Sequence, residues 1–150
     1  MTERDARTLY QELIVDHGRA PRNEGPLDEA THEATTTNPL CGDRVTLRLR
    51  VEGSVVTRAR FEARGCMIAR ASASLLTETI TGIGLSEAVG LARALEALVR
   101  GDAPPVDLGK LGKLEALRGV REFPARRSCA LLAWQALESA AGSDMPASRA

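Results

Sequence analysis

Three cysteines stand at separate points of this 150-residue chain, each with neighbours that suggest chemistry. Cys41 and Cys66 each lie next to a glycine, and Cys129 follows two arginines and a serine. A thiolate is both a ligand for soft metals and a sulfur nucleophile, and an odd number of cysteines cannot all be paired in disulfides. Asp43, two residues after Cys41, adds a carboxylate. Three sulfur donors and one oxygen donor would suit a single tetrahedral metal ion.

The composition indicates one globular domain and argues against nucleic acid as a partner. Apolar residues make up 43% of the chain, and 20 basic residues balance 20 acidic ones, so no overall field attracts a phosphate backbone. Four aromatic residues are too few for a base-stacking platform. We expect a single domain over residues 1–142 and a disordered tail at 143–150.

The N-terminal residues are charged and are not followed by the apolar core of a signal peptide. No apolar run approaches the roughly 20 residues that a membrane span needs. We therefore expect a cytoplasmic protein with no membrane partner. Thiols stay reduced in that compartment, which argues against structural disulfides.

The periodicity of apolar residues predicts one helix, a meander of strands and three further helices. The predicted helices are 5–17, 67–80, 87–99 and 125–140, and the predicted strands are 31–37, 44–51 and 55–63. We expect Val55 to face inward with the apolar residues of its strand, and Ser86 to cap the third helix. The predicted fold is α+β, a small antiparallel three-stranded sheet with helices packed on one face.

The predicted hairpin brings two of the cysteines together. Cys41 lies just before the strand 44–51, and Cys66 lies just after the strand 55–63. Because these strands pair antiparallel, the start of the first and the end of the second lie at the same sheet edge. Cys129 cannot be placed in this way. Its helix must pack on the sheet, which permits convergence without requiring it.

The local settings of Cys66 and Cys129 predict lowered thiol pKa values. Cys66 precedes a helix, and Cys129 is expected in the first turn of another, beside two arginines. Less specific interpretations remain open at this point. A single cysteine is usually a small core residue, and Asp43 alone is more often a turn residue than a ligand.

The two histidines of the chain do not provide the imidazole set of a zinc hydrolase. We expect His17, at the end of the first helix, to complement the helix dipole or to lie at the surface.

Four ordered motifs resemble the NifU/IscU-like iron–sulfur cluster assembly family over about residues 5–141. They are His17 with Pro21-Arg22-Asn23 and Gly25, then Asn38-Pro39-Leu40-Cys41-Gly42-Asp43, then Gly65-Cys66-Met67-Ile68-Ala69-Arg70, and finally Arg126-Arg127-Ser128-Cys129. Within the family the chain resembles the SufU-type branch, because 101–123 is similar to that branch's insertion. The IscU branch carries a histidine directly before its third cysteine, where this chain has Ser128.

The resemblance implies a SufE/NifU-like fold and a zinc ion bound by Cys41, Asp43, Cys66 and Cys129. It also implies that Cys41 accepts sulfur from a SufS-type cysteine desulfurase and passes it on to downstream cluster-assembly or acceptor proteins. Arg126, three residues before the third cysteine, is the implied catalytic partner of Cys41. Its charge would offset part of the negative charge of three thiolates and one carboxylate.

Two other interpretations remain open. In the first, the same four residues hold a transient [2Fe–2S] cluster or iron, and the protein is a scaffold, since thiolates serve both metals. In the second, the metal only supports folding. The insertion and the missing histidine favour sulfur transfer.

Overall fold

The computed structural model describes residues 3–39, 42–101, 117, 120 and 124–142, with the backbone alone for 3–10, 124 and 125. Over these ranges the elements are, in chain order, α1 (Glu3–Arg19), β1 (His32–Thr37), β2 (Arg44–Glu52), β3 (Val55–Arg64), α2 (Met67–Ile80), α3 (Leu85–Arg100) and α4 (Pro124–Ala141). The predicted α+β class and the order of the elements are confirmed. None of the helices within these ranges is long and apolar enough to cross a membrane.

The sheet is an antiparallel meander of order β1-β2-β3. Alternating residues of β2 and β3 give it one buried face, on which Leu47 pairs with Phe61. The register between β2 and β3 shifts at Arg50/Val51. This irregularity reverses the predicted orientation at the start of β3, because the side chain of Val56 is fully buried while Val55 is 37% exposed. The prediction that Val55 faces inward was therefore wrong.

Helices α2 and α4 pack against the buried face of the sheet, α1 packs on α2, and α3 packs on α4. The apolar core lies between these layers and includes Trp134 of α4 and Leu75 of α2. Residues 23–25 run beside β3, where Gly25 N donates to Phe61 O at 2.8 Å and Phe61 N donates to Asn23 O at 3.0 Å. These bonds cover the outer edge of β3.

Helix α3 begins two residues earlier than its predicted cap requires. Its N-cap is Gly84, and Ser86 is an exposed residue inside the helix, so the prediction of a Ser86 cap was wrong. The helix ends as predicted at Gly101, whose left-handed backbone closes it. Most of the predicted insertion 101–123 and all of the predicted tail 143–150 lie outside the described residues.

Candidate metal centre

Asp43 and Cys66 meet where the β2–β3 hairpin ends. The register pairs Arg44 with Arg64, so Asp43 and Gly65 continue the two strands side by side. Gly65 has a φ of +140°, and a Cβ added there would overlap the Asp43 carboxylate. The glycine is therefore required twice, for its backbone conformation and for the close approach of the aspartate.

Cys66 is the N-cap residue of α2, and Cys129 lies on α4. The ligand atoms of Asp43, Cys66 and Cys129 all lie within 4.8 Å of one another. The Cys129 thiol donates a hydrogen bond to Asp43 Oδ2 at 3.2 Å. Asp43 and Cys129 are buried, and Cys66 is partly exposed. In the part of the chain that the structure describes, this is the one such group of acidic, thiol or imidazole donors.

Two buried hydrogen bonds hold α4, and hence Cys129, against this edge. The Ser72 hydroxyl donates to Ala130 O at 2.6 Å and accepts from Trp134 Nε1 at 3.0 Å. From the other side, the Thr36 hydroxyl donates to Leu132 O at 2.7 Å. No sequence pattern indicates these contacts, since Ser72 is separated from its partners by about 60 residues.

The predicted lowering of the Cys129 pKa was wrong for the metal-free pocket. Burial raises the pKa of this thiol well above its ordinary value, and the hydrogen bond to Asp43 and the neighbouring Cys66 raise it further. Because α4 begins at Pro124, Cys129 lies in its second turn, where the helix dipole acts less strongly than in the first.

This donor set fits a cation. Without one, a buried carboxylate and two thiols share a small space, and the Cys129 proton is retained. A divalent ion would replace that proton and offset the repulsion among the deprotonated donors. Two sulfur atoms and a carboxylate oxygen are suitable donors for Zn²⁺ and leave one tetrahedral position to fill.

Of the other predicted site residues, Cys41 lies outside the described residues. Arg126 is exposed and lines, together with Cys66, a cavity of about 490 Å³. Ile14 and Val15 of α1 and Met67 of α2 supply apolar walls to this cavity. This cavity has no signal in the sequence, because α1 lies beside Cys66 only through helix packing.

Neither histidine belongs to the donor group. His17 lies in the last turn of α1, but it is 1% exposed, so the alternative of a surface position was wrong. Its Nδ1 atom is 2.7 Å from Ser74 Oγ, which also accepts a hydrogen bond from Arg22 N at 2.8 Å. Ser74 of α2 therefore binds both α1, through His17, and the segment before β1, through Arg22. His32 is buried beside Thr31.

The fold is thus an α+β domain with a candidate metal centre at one edge of its sheet. The model of the NifU-like N-terminal domain matches residues 9–142. The chain is 41% identical to the zinc-dependent sulfurtransferase SufU of Bacillus subtilis, over 87% of this chain and 88% of that one. It is 39% identical to the iron–sulfur cluster assembly scaffold protein IscU of Thermotoga maritima, over 89% and 93%.

Solved structures of related proteins have the same fold. The SufU protein of Fervidobacterium islandicum superposes with a TM-score of 0.82 at 30% identity, over 90% of this chain and 98% of that one. The N-terminal part of a NifU-like protein from Brucella abortus gives a TM-score of 0.79 at 25% identity, over 88% and 91%. The chain belongs to the NifU-like N-terminal domain family of iron–sulfur cluster assembly proteins, as the sequence motifs predicted.

Proposed function

We propose that this protein is a zinc-dependent sulfurtransferase of iron–sulfur cluster assembly, with Cys41 as the sulfur acceptor. The observation that carries the proposal is the convergence of Asp43, Cys66 and Cys129 at one sheet edge, in a chain similar to a zinc-dependent sulfurtransferase. Bound Zn²⁺ would hold thiols as thiolates without redox chemistry and would exchange a ligand readily.

The proposed fourth ligand is Cys41. It precedes Asp43 by two residues, so the covalent chain keeps their α carbons within about 7 Å of each other. The described residues on either side are held together, since Asn38 N donates to Asp43 O and Gly42 N donates to Asn38 O, both at 2.8 Å. Gly42 has a φ of +77°, which suits a tight turn beside the site.

The proposed reaction is a thiolate exchange on sulfur. The Cys41 thiolate attacks the terminal sulfur of a persulfide on a cysteine desulfurase, and the sulfur–sulfur bond of that persulfide breaks. The donor cysteine leaves as a thiolate, and Cys41 becomes the new persulfide. One bond forms and one breaks, with no net oxidation. Downstream cluster-assembly or acceptor proteins then receive the sulfur.

The other donors have supporting roles in this proposal. Asp43, Cys66 and Cys129 keep the site assembled when Cys41 reacts. Arg126 lines the same cavity as Cys66, and its charge would offset part of the negative charge of the donor set.

Sulfur transfer from a purified SufS-type desulfurase tests the proposal. We expect the wild-type protein, purified without oxygen, to carry zinc in a 1:1 ratio and to gain one sulfur atom on Cys41 by mass spectrometry. Cys41→Ala and the closer match Cys41→Ser should remain folded by circular dichroism and should not stimulate the desulfurase. If either variant stimulates the desulfurase as well as the wild type does, Cys41 is not the acceptor.

The similarity to the Thermotoga scaffold protein favours a second candidate, a transient [2Fe–2S] cluster on the same residues. Elemental analysis separates the two, because tightly held iron with acid-labile sulfide would support the scaffold and exclude resident zinc. A purely structural metal predicts that chelation unfolds the chain. The core between the sheet, α2 and α4 is extensive without the metal, so we expect the chelated protein to stay folded.

A further inference from the structure

The outer face of the β2–β3 hairpin carries like charges in direct opposition. The register pairs Arg44 with Arg64, Arg48 with Arg60, and Arg50 with Arg58. Like charges directly opposite one another on antiparallel strands repel, so each pair needs a counter-charge. The chain as a whole has no excess of positive charge, which makes this concentration on one face a local feature.

In two of the three pairs, one arginine forms ion pairs with glutamates of the same chain. Arg48 contacts the carboxylates of Glu33 at 3.3 Å and Glu62 at 3.0 Å. Arg50 contacts Glu29 and Glu52 at 3.7 and 3.4 Å.

The Arg44–Arg64 pair stands at the end of the hairpin next to the candidate metal centre. Both residues are exposed, and within the described part of the chain no carboxylate forms an ion pair with either. Together with Thr46 and Glu62 they line a cavity of about 260 Å³. Arg44 follows Asp43 directly, and Arg64 precedes Cys66 by two residues.

We propose that Arg44 and Arg64 form a docking surface for carboxylates on the cysteine desulfurase that brings sulfur to this edge. The inference rests on the proposed function, in which the sulfur donor docks at this end of the hairpin, where Arg44 and Arg64 adjoin the donor residues along the chain. Carboxylates of the partner would relieve the repulsion for which the described residues provide no ion pair. Such rim charges act mainly on association rate and salt dependence.

A protein surface fits this face better than a nucleic acid. Glu62 and Thr46 lie opposite each other between the Arg44–Arg64 pair and the next arginine pair of the hairpin. The positive charge is therefore interrupted along the face. A continuous phosphate backbone would be repelled at that point, whereas a protein can place a neutral or basic group against it.

Charge reversal at matched positions tests the surface. Arg58 lies on the same strand and face as Arg64, is exposed, and has no ion pair among the described residues. It is six residues away, about 20 Å along the strand. We expect Arg64→Glu and Arg44→Glu to raise the Kd for the desulfurase about tenfold in low salt and to flatten its dependence on NaCl concentration. Arg58→Glu should change the Kd less than threefold.

Equal Kd values for the wild type, Arg44→Glu and Arg64→Glu would overturn the proposal, and so would an equal loss in Arg58→Glu. Sulfur loading of Cys41 at saturating desulfurase should remain normal in all three variants. Absent loading in the wild type would instead refute the proposed function.

Discussion

Replacing Gly65 by alanine, in comparison with the same change at Gly53, separates the effect of backbone strain from the effect on the proposed metal centre. Gly65 has a φ of +140°, and an added Cβ would overlap the carboxylate of Asp43. Holding an alanine in this glycine region costs about 1–3 kcal/mol of folding stability. Gly53, in the β2–β3 turn, has a φ of +55° with nothing within 4 Å of an added Cβ, so Gly53→Ala is a matched control for strain alone.

Zinc affinity distinguishes the two variants. Displacing the Asp43 carboxylate should weaken zinc binding about 10- to 100-fold, which corresponds to about 1.4–2.8 kcal/mol. The assay is competition for zinc against a chromogenic chelator, with denaturant unfolding of the metal-free proteins in parallel. We expect both variants to lose stability, and Gly65→Ala alone to lose affinity. If Gly65→Ala binds zinc as tightly as Gly53→Ala does, then the space that Gly65 leaves for Asp43 is not needed for zinc binding.

Two further predictions concern the buried groups around the site. The raised pKa of Cys129 means that above about pH 8.5 the unfolded thiol loses its proton before the folded one, so metal-free protein should lose up to about 1.4 kcal/mol of stability per pH unit. Denaturant unfolding from pH 8 to 10 checks this. If the unfolding free energy of Cys129→Ser falls with pH as steeply as that of the wild type, the prediction is contradicted. Ser72→Ala leaves Trp134 Nε1 without its buried partner and should cost about 1–3 kcal/mol in thermal unfolding. Exposed Ser86→Ala is the control, and an equal effect there would contradict the assignment.

The amino-acid sequence determined the layout of the chain. Strict alternation in β2 and β3 predicted a hairpin with one buried face, and the change of period after Gly65 predicted α2 with the bounds that the structure has. Because antiparallel register is a local property, it also predicted that Cys41 and Cys66 would share a sheet edge. Cys41 lies outside the described residues, but Asp43, two residues further on, lies beside Cys66 at that edge. The four motifs predicted the family.

Tertiary structure decided what depends on packing between distant elements. Cys129 reaches Asp43 because Ser72 and Thr36 hold α4 against the sheet, and neither contact has a sequence signal. Its pKa rises through burial, although the arginines beside it in sequence indicated the reverse. Periodicity reports which face of an element is apolar, but only the assembled core determines which donors lose water and which charges remain exposed.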